Sequence, residues 1–217
     1  MLLNRGYSTV DVEINKGPGA SGTISYIKKW GIMSWIDEVY DKEFANLLDE
    51  EPTLARSNTF RKVFEYLIGT DRKYYQIIET GSLRALDQWG DGQSTRLFDS
   101  FVNYYDGEII SIDNREECTT LTEENTTSKV TALTGDSLEV LSEIEICADL
   151  LYLDSFDYIP GKELESGLHH LYEMMCCMNI IDDETLIVVD DTDESGEGKG
   201  KYILEFIQRS NREIIFN

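Results

Sequence analysis

The stretch Tyr74–Ser82, which reads YYQIIETGS, decides the fold class of this 217-residue chain. A short apolar run that ends at an acid and a glycine is typical of a parallel strand entering a ligand-binding turn. Three later apolar runs also end at acids, namely at Asp113, at Asp154 and at the pair Asp190–Asp191. Open α/β sheets bind ligands outside the carboxyl ends of their strands, so carboxylates at that edge predict a binding site.

Strand-like and helix-like segments alternate from residue 74 onward. Strands are predicted at 74–78, 108–112, 129–133, 149–153, 185–189 and 212–216, and helices at 94–105, 137–144, 162–179 and 200–210. Ser94 or Gln93 is expected to cap the first of these helices. The alternation predicts an α/β fold, Rossmann-like and doubly wound, with a mostly parallel sheet and helices on both faces.

The first 70 residues predict a different kind of structure, a helical N-terminal extension. Residues 1 to about 24 are rich in glycine and polar residues, and we expect a flexible arm there. A phosphate-binding loop at Lys16–Gly22 is the alternative, but the Gly-Lys-Ser/Thr ending and a preceding strand are missing. Residues 25–70 are expected to be largely helical, because apolar residues in Thr59–Ile68 recur near the helical period. Residues 1–70 are therefore predicted to be an arm and a helical cap, and residues 71–217 the main domain.

Composition narrows the classes of function. The formal net charge is -23, from 42 acids against 19 bases, so binding to nucleic acid or to anionic membranes is disfavoured. No apolar stretch is long enough to span a bilayer and no signal-peptide pattern follows Met1, so a cytoplasmic protein is expected. The four cysteines form no Cys-x-x-Cys pair, which argues against a zinc site and for a reducing compartment.

Five motifs at the predicted strand ends together resemble a known family. They are Ile78–Ser82, Ile110–Asp113, Thr134–Ser137, Leu151–Asp154 and Ile187–Asp191. Their order resembles class I S-adenosylmethionine-dependent methyltransferases, most closely the metal-dependent O-methyltransferases of the catechol and macrocin types. The resemblance covers residues 74–216. It implies that the main domain binds S-adenosylmethionine and transfers methyl to a hydroxyl of a small molecule or sugar.

The resemblance implies cofactor contacts at the first two strand ends. Glu79, Gly81 and Ser82 match positions along the methionine part of the cofactor. Asp113 matches the acid that accepts hydrogen bonds from the ribose hydroxyls, as a strand-end acid does for NAD.

Three further cofactor positions follow from the same resemblance. Asp136 and Ser137 match the residues at the adenine edge. The long segment Ser82–Thr95 resembles a glycine-rich turn with an insertion, and Ser94 matches the serine at its end. The helix that starts there would offer backbone N–H groups to the cofactor carboxylate.

The resemblance also implies a divalent cation, Mg²⁺ or similar, at Asp154, Asp190 and Asp191. Such a cation would hold the acceptor oxygen and lower its pKa. In the alternative interpretation, Asp190 and Asp191 only cap the end of their strand and Asp154 contacts only the cofactor. Asp157 stands where the catechol enzymes have a lysine base, so Asp154 and Asp157 are the catalytic candidates. A role for the His169–His170 pair is a less favoured alternative.

Two other classes of function remain open. One is a catalytically degenerate Rossmann-like domain that still binds its ligand. The other is an NAD-dependent oxidoreductase, although Gly81–Leu86 carries only the first glycine of the Gly-x-Gly-x-x-Gly turn. Sugar, phenol and polyketide hydroxyls are all open as acceptors, and so is the oligomeric state, a homodimer included.

Overall fold

The computed structural model describes residues 7–16, 20–29, 34–49, 56–89, 92–192 and 197–209. The strand predicted at 212–216 lies outside these ranges. Within the described residues, no helix combines the length and the apolar character needed to cross a membrane.

Seven strands form two sheets in the described residues. They are β1 Tyr7–Lys16, β2 Ala20–Lys29, β3 Tyr75–Thr80, β4 Gly107–Asp113, β5 Val130–Thr134, β6 Leu150–Leu153 and β7 Leu186–Val189. β1 and β2 pair antiparallel with each other, whereas the other five strands are all parallel in the order β5-β4-β3-β6-β7. The order reverses beside β3, which is the arrangement of a doubly wound sheet and confirms the predicted fold class.

The helices alternate with the strands of the parallel sheet. A π-helical segment at Ile36–Phe44 continues into α1 Ala45–Leu48, and the other helices are α2 Arg56–Gly69, α3 Ser94–Tyr105, α4 Glu116–Asn125, α5 Ser137–Glu143, α6 Glu163–Cys176 and α7 Lys201–Ile207. The predicted helix at 94–105 is confirmed at both ends. Helix α4 was missed, because it buries only Cys118, Thr119 and Thr122 and so shows no apolar period.

The sheet separates two hydrophobic cores. Neighbouring strand residues point to opposite faces, so Ile77 lies in one core and Ile78 in the other. The first core contains side chains of α2, α3 and the π-helical segment, and the second contains side chains of α5, α6 and α7. The predicted covering of both faces by helices is therefore confirmed.

The helices before the sheet belong to the first of these cores. Trp35 is fully buried, and its ring lies 4.6 Å from that of Phe64 and 5.5 Å from that of Phe101, measured between centroids. Its indole N–H donates to Ser100 Oγ at 3.2 Å. The segment 34–69 thus shares its core with the sheet, and the domain boundary near residue 70 stays a prediction.

The helical prediction is wrong for residues 25–29, which belong to β2. Apolar residues recur at every second position in these strands, a pattern typical of β-structure that the helical interpretation did not consider. Val10 and Val12 of β1 pair with Tyr26 and Ile24 of β2. β1 and the first residues of β2 lie within residues 1 to about 24, the stretch for which a flexible arm was expected.

Candidate functional site

The turn after β3 brings three strand ends together. Gly81 has φ +89°, and its N–H donates to the carbonyl oxygen of Ile112 at 2.7 Å. A Cβ at this position would lie 2.5 Å from the carbonyl oxygen of Asp154. Any side chain at position 81 would collide with the backbone of Asp154, so a glycine is required here whether or not the turn also contacts a ligand.

A cleft opens at this edge of the sheet. Its enclosed volume is about 70 Å³. Its lining comes from the ends of β3, β4, β5 and β6 and from α6: Gly81, Ile112, Asp113, Asn114, Gly135, Asp136, Ser137, Ser155, Phe156 and His169. Four of the predicted cofactor residues are in this lining, namely Gly81, Asp113, Asp136 and Ser137.

Asp113 is nearly buried at the end of β4 and is held by several donors. Oδ2 accepts from the Ser82 N–H at 3.1 Å, and Oδ1 accepts from the Arg115 N–H at 2.9 Å. The Arg115 guanidinium donates to both oxygens, at 3.2 and 3.3 Å. Burial by itself would raise the pKa of Asp113, but these donors lower it below its ordinary value, so the group is a carboxylate at neutral pH.

The adenine-edge candidates lie at the start of α5. The Asp136 carboxylate accepts from the Leu138 N–H at 2.9 Å and caps the helix. Ser137 Oγ lies 3.0 Å from His169 Nε2, which also lies 3.3 Å from a carboxylate oxygen of the buried Glu173. Hydrogen bonding to Glu173 raises the pKa of His169. This side of the cleft therefore carries a histidine in a polar network.

Glu79, by contrast, lies beneath the cleft and is fully buried. Its carboxylate accepts from the hydroxyls of Ser94, of Thr95 at 2.6 Å and of Ser111 at 2.9 Å. Burial raises the pKa of Glu79 to about 7, although the three hydroxyls oppose the shift. Ser94 contacts Glu79 in place of capping α3, where Gln93 holds the cap position without a side-chain bond.

Ser82 is also buried, with its Oγ 2.9 Å from Ser111 Oγ. Glu79, Ser82 and Ser94 thus form a layer behind the cleft rather than its lining, and their contacts with a cofactor stay predictions.

The carboxylates predicted to bind metal also meet at this edge of the sheet, and Asp154, Asp190 and Asp191 are together called the acidic edge below. Each already has a cationic partner. Lys199 Nζ contacts Asp154 Oδ1 and lies 3.0 Å from Asp191 Oδ2. The Arg56 guanidinium contacts Asp190, which also accepts from the Tyr152 hydroxyl at 2.7 Å.

These ion pairs decide whether a divalent cation fits. Oxygen ligands suit Mg²⁺, but the oxygens of the acidic edge face the ammonium and guanidinium groups of Lys199 and Arg56. In the part of the chain that the structure describes, no three acidic, histidine or cysteine side chains are grouped so as to hold a metal ion. The arrangement therefore does not fit the predicted Mg²⁺ site, because two basic side chains supply the positive charge.

The second base candidate lies apart from the acidic edge. Asp157 pairs with Arg84 at 2.9 Å, and its side chain is 59% exposed. Asp154 is more deeply placed: burial and the neighbouring Asp190 carboxylate raise its pKa, and the Lys199 ammonium opposes them. The backbone carbonyl of Asp154 lies against the Gly81 turn, and Ser155 and Phe156, which follow it, line the cleft.

Several residues of the site were not predicted. Asn114 lines the cleft directly after Asp113, and Ser155 and Phe156 line it directly after Asp154, so extending each strand end by two residues would have included them. Lys199 stands in a Gly-Lys-Gly sequence, which signals a close backbone approach but not its partner. Arg56 carries no sequence signal that connects it with Asp190.

Comparisons with known proteins give only distant similarity. No protein-family model matches the chain, and no curated protein matches its sequence. Among solved structures, it is similar to the MycE methyltransferase from the mycinamycin biosynthetic pathway in complex with Mg, SAH and mycinamycin VI. The TM-score is 0.44 at 17% identity, over 83% of this chain and 42% of that one. A second crystal form of MycE with Mg and SAH gives 0.48 at 16% identity, over 73% and 42%. The chain spans less than half the length of these structures.

Proposed function

We propose that this protein binds S-adenosylmethionine in the cleft and transfers its methyl group to a hydroxyl of a small molecule or sugar. One observation carries the proposal: the Asp113 carboxylate lines the same cleft as the Gly81 turn, where the strand order reverses beside β3. An acid at the end of the strand next to a glycine turn is the arrangement that binds the ribose of a nucleoside cofactor.

Ribose binding requires a rearrangement at Asp113. A carboxylate offers about four lone-pair positions, and here two backbone N–H groups and the Arg115 guanidinium take them. The backbone donors are fixed, whereas the Arg115 side chain is 42% exposed and can turn towards solvent. Two ribose hydroxyls would then replace the guanidinium.

The opposite end of the cleft suits a heterocyclic base. Ile112 and Phe156 give apolar surface, and the ring of Phe156 lies 5.6 Å from that of His169. The hydroxyl of Ser137 and the start of α5 add polar groups at the rim. Such a mixture of apolar walls and a few polar groups is usual in cofactor sites.

The proposed reaction is an in-line displacement at the sulfonium methyl. The acceptor oxygen loses its proton, forms a bond to the methyl carbon and releases S-adenosylhomocysteine as the carbon–sulfur bond breaks. Asp154 is the proposed acceptor of that proton, since it directly precedes Ser155 and Phe156, which line the cleft. No step is assigned to a divalent cation, because the acidic edge is already paired with Lys199 and Arg56.

Calorimetric titration with S-adenosylhomocysteine tests the cofactor. Asp113→Asn should weaken binding roughly ten- to a hundredfold, the loss expected when charge-assisted hydrogen bonds become neutral. Arg115→Ala is the matched control and should bind no more weakly than wild type, because its guanidinium must leave. The proposal fails if wild type binds neither S-adenosylmethionine nor its product, or binds NADH instead.

Turnover is tested separately with labelled S-adenosylmethionine and a panel of phenol, sugar and polyketide hydroxyls. Label should move to at least one acceptor, and Asp154→Asn should slow the transfer while cofactor binding persists. Cofactor binding with no transfer to any acceptor would favour the degenerate binding domain.

A further inference from the structure

The side chain of Lys199 lies at the centre of the acidic edge. It is 1% exposed, and its ammonium group contacts Asp154 and lies 3.0 Å from Asp191. The two carboxylates that the ammonium group meets stabilise its charged form. A permanent positive charge therefore stands between two of the three carboxylates.

The backbone around Lys199 fixes this position. Gly198 has φ +108°, and a Cβ there would lie 2.0 Å from the carbonyl oxygen of Asp191. Gly198 forms a β-bridge with Thr192, whose hydroxyl accepts from the Gly200 N–H at 2.9 Å. The Lys199 N–H also donates to the Asp191 carbonyl, at 3.2 Å. The two glycines thus hold the lysine directly against the end of β7.

Asp190, the third carboxylate, is compensated from a different element. Arg56 stands at the start of α2, and its guanidinium contacts Asp190 beside the Tyr152 hydroxyl. The acidic edge therefore has three carboxylates and two fixed cations, so most of its negative charge is already neutralised.

A divalent cation would have to compete with these partners. Mg²⁺ demands near-octahedral oxygen coordination, so it would need Asp154 and Asp191 to turn from the ammonium of Lys199. The displaced ammonium would be left buried without its partners, which is strongly unfavourable. The geometry thus favours the lysine over a metal ion.

We propose that Lys199 is a built-in cation that takes the place of a divalent metal at the acidic edge. The protein then neither binds nor requires Mg²⁺ there, in contrast to what the sequence motifs predict. This proposal deepens the proposed function and rests on it, since it concerns the acceptor end of the same site. Lys199 acts as a positioning residue, because it acts through the Asp154 carboxylate that it holds in place.

The proposal has a consequence for the acceptor. A metal ion binds acceptors best when two neighbouring oxygens can coordinate it together. With a lysine in that place, chelation contributes nothing, so acceptors with one hydroxyl should serve as well as vicinal diols. Chelating agents should leave transfer unchanged.

Mn²⁺ titration followed by electron paramagnetic resonance tests the proposal, since Mn²⁺ prefers the same oxygen ligands as Mg²⁺. Wild-type protein saturated with S-adenosylhomocysteine should bind Mn²⁺ no more tightly than Asp154→Asn, with only diffuse binding to the acidic surface. Lys199→Met should gain one site at least about tenfold tighter than this background, because the freed carboxylates become ligands.

Two controls define the result. Lys201→Met removes a lysine that pairs with Glu197 on the surface, and should gain no site. The double variant Lys199→Met/Asp154→Asn should lose the site that Lys199→Met gains. Thermal melting and S-adenosylhomocysteine titration of each variant show whether it is folded, and Lys199→Gln replaces Lys199→Met if the latter fails to fold.

Stoichiometric Mn²⁺ binding by wild type that disappears in Asp154→Asn would overturn the proposal. So would a folded Lys199→Met that gains no site. Failure of wild type to bind S-adenosylhomocysteine would instead refute the proposed function, and the Mn²⁺ titration without that ligand would still report on Lys199.

Discussion

Replacing Glu79 by glutamine should change how the stability of this protein depends on pH. Glu79 is fully buried, and burial raises its pKa from 4.5 to about 7. Between these two values the native protein keeps a proton that the unfolded chain has lost. The free energy of unfolding therefore falls as pH rises through this window, and the contribution of Glu79 is complete below pH 4.5 and lost above about pH 7.

The magnitude follows from the size of the shift. Each pKa unit corresponds to about 1.4 kcal/mol, so the full effect is about 3 kcal/mol. Most of it falls between about pH 5 and pH 7, where we expect a change of roughly 2 kcal/mol. The glutamine side chain introduced by Glu79→Gln cannot titrate, and it retains an oxygen that accepts from the hydroxyls of Thr95 and Ser111. Glu79→Gln should therefore gain stability relative to wild type as pH rises.

The measurement is urea denaturation of both proteins at a series of pH values. The difference between the two free energies isolates Glu79, because the titration of the other carboxyl groups cancels. Glu65→Gln, the same substitution at an exposed position of α2, is the matched control for the loss of one carboxyl group. If the wild-type and Glu79→Gln profiles stay parallel within about 0.5 kcal/mol, the raised pKa of Glu79 is refuted.

Two further substitutions test the fold around the site. Gly81→Ala should lower the free energy of unfolding, measured by urea denaturation, by about 2 kcal/mol or more. The added Cβ would lie 2.5 Å from the Asp154 carbonyl oxygen, and the residue would have to keep a positive φ. An unchanged urea midpoint would contradict the tight turn. Trp35→Ala should cost about 3 to 5 kcal/mol, the usual loss for a buried tryptophan, and a loss below about 1 kcal/mol would show that the N-terminal helices do not share the sheet's core.

Local patterns in the sequence predicted the elements of the main domain. The strands β3 to β7 and the helices α3, α5, α6 and α7 lie where apolar runs and apolar periods indicated them. The sequence patterns missed helix α4, because it carries too few apolar residues to show a helical period. They missed strand β2, because residues 25–29 were interpreted with the helical period rather than with the period of two of a strand.

The sequence by itself also determined that acids gather at one edge of the sheet. An acid directly after a buried parallel strand has to lie at the carboxyl edge, so Asp113, Asp154 and Asp190 could be placed there without coordinates. The direction and partners of each side chain depend on other parts of the chain. Glu79 follows the same rule of position, yet it points into the interior because Ser94, Thr95 and Ser111 meet it there.

Only the tertiary structure decided the charge of the acidic edge. Arg56 reaches Asp190 across 134 residues of sequence, and Lys199 reaches Asp154 across 45. Such contacts come from the packing of α2 on the sheet and from the close backbone approach at Gly198, and no local pattern encodes them. The physical reason is that a strand end sets where a carboxylate lies, whereas its compensating charge comes from whichever distant element the fold packs against it.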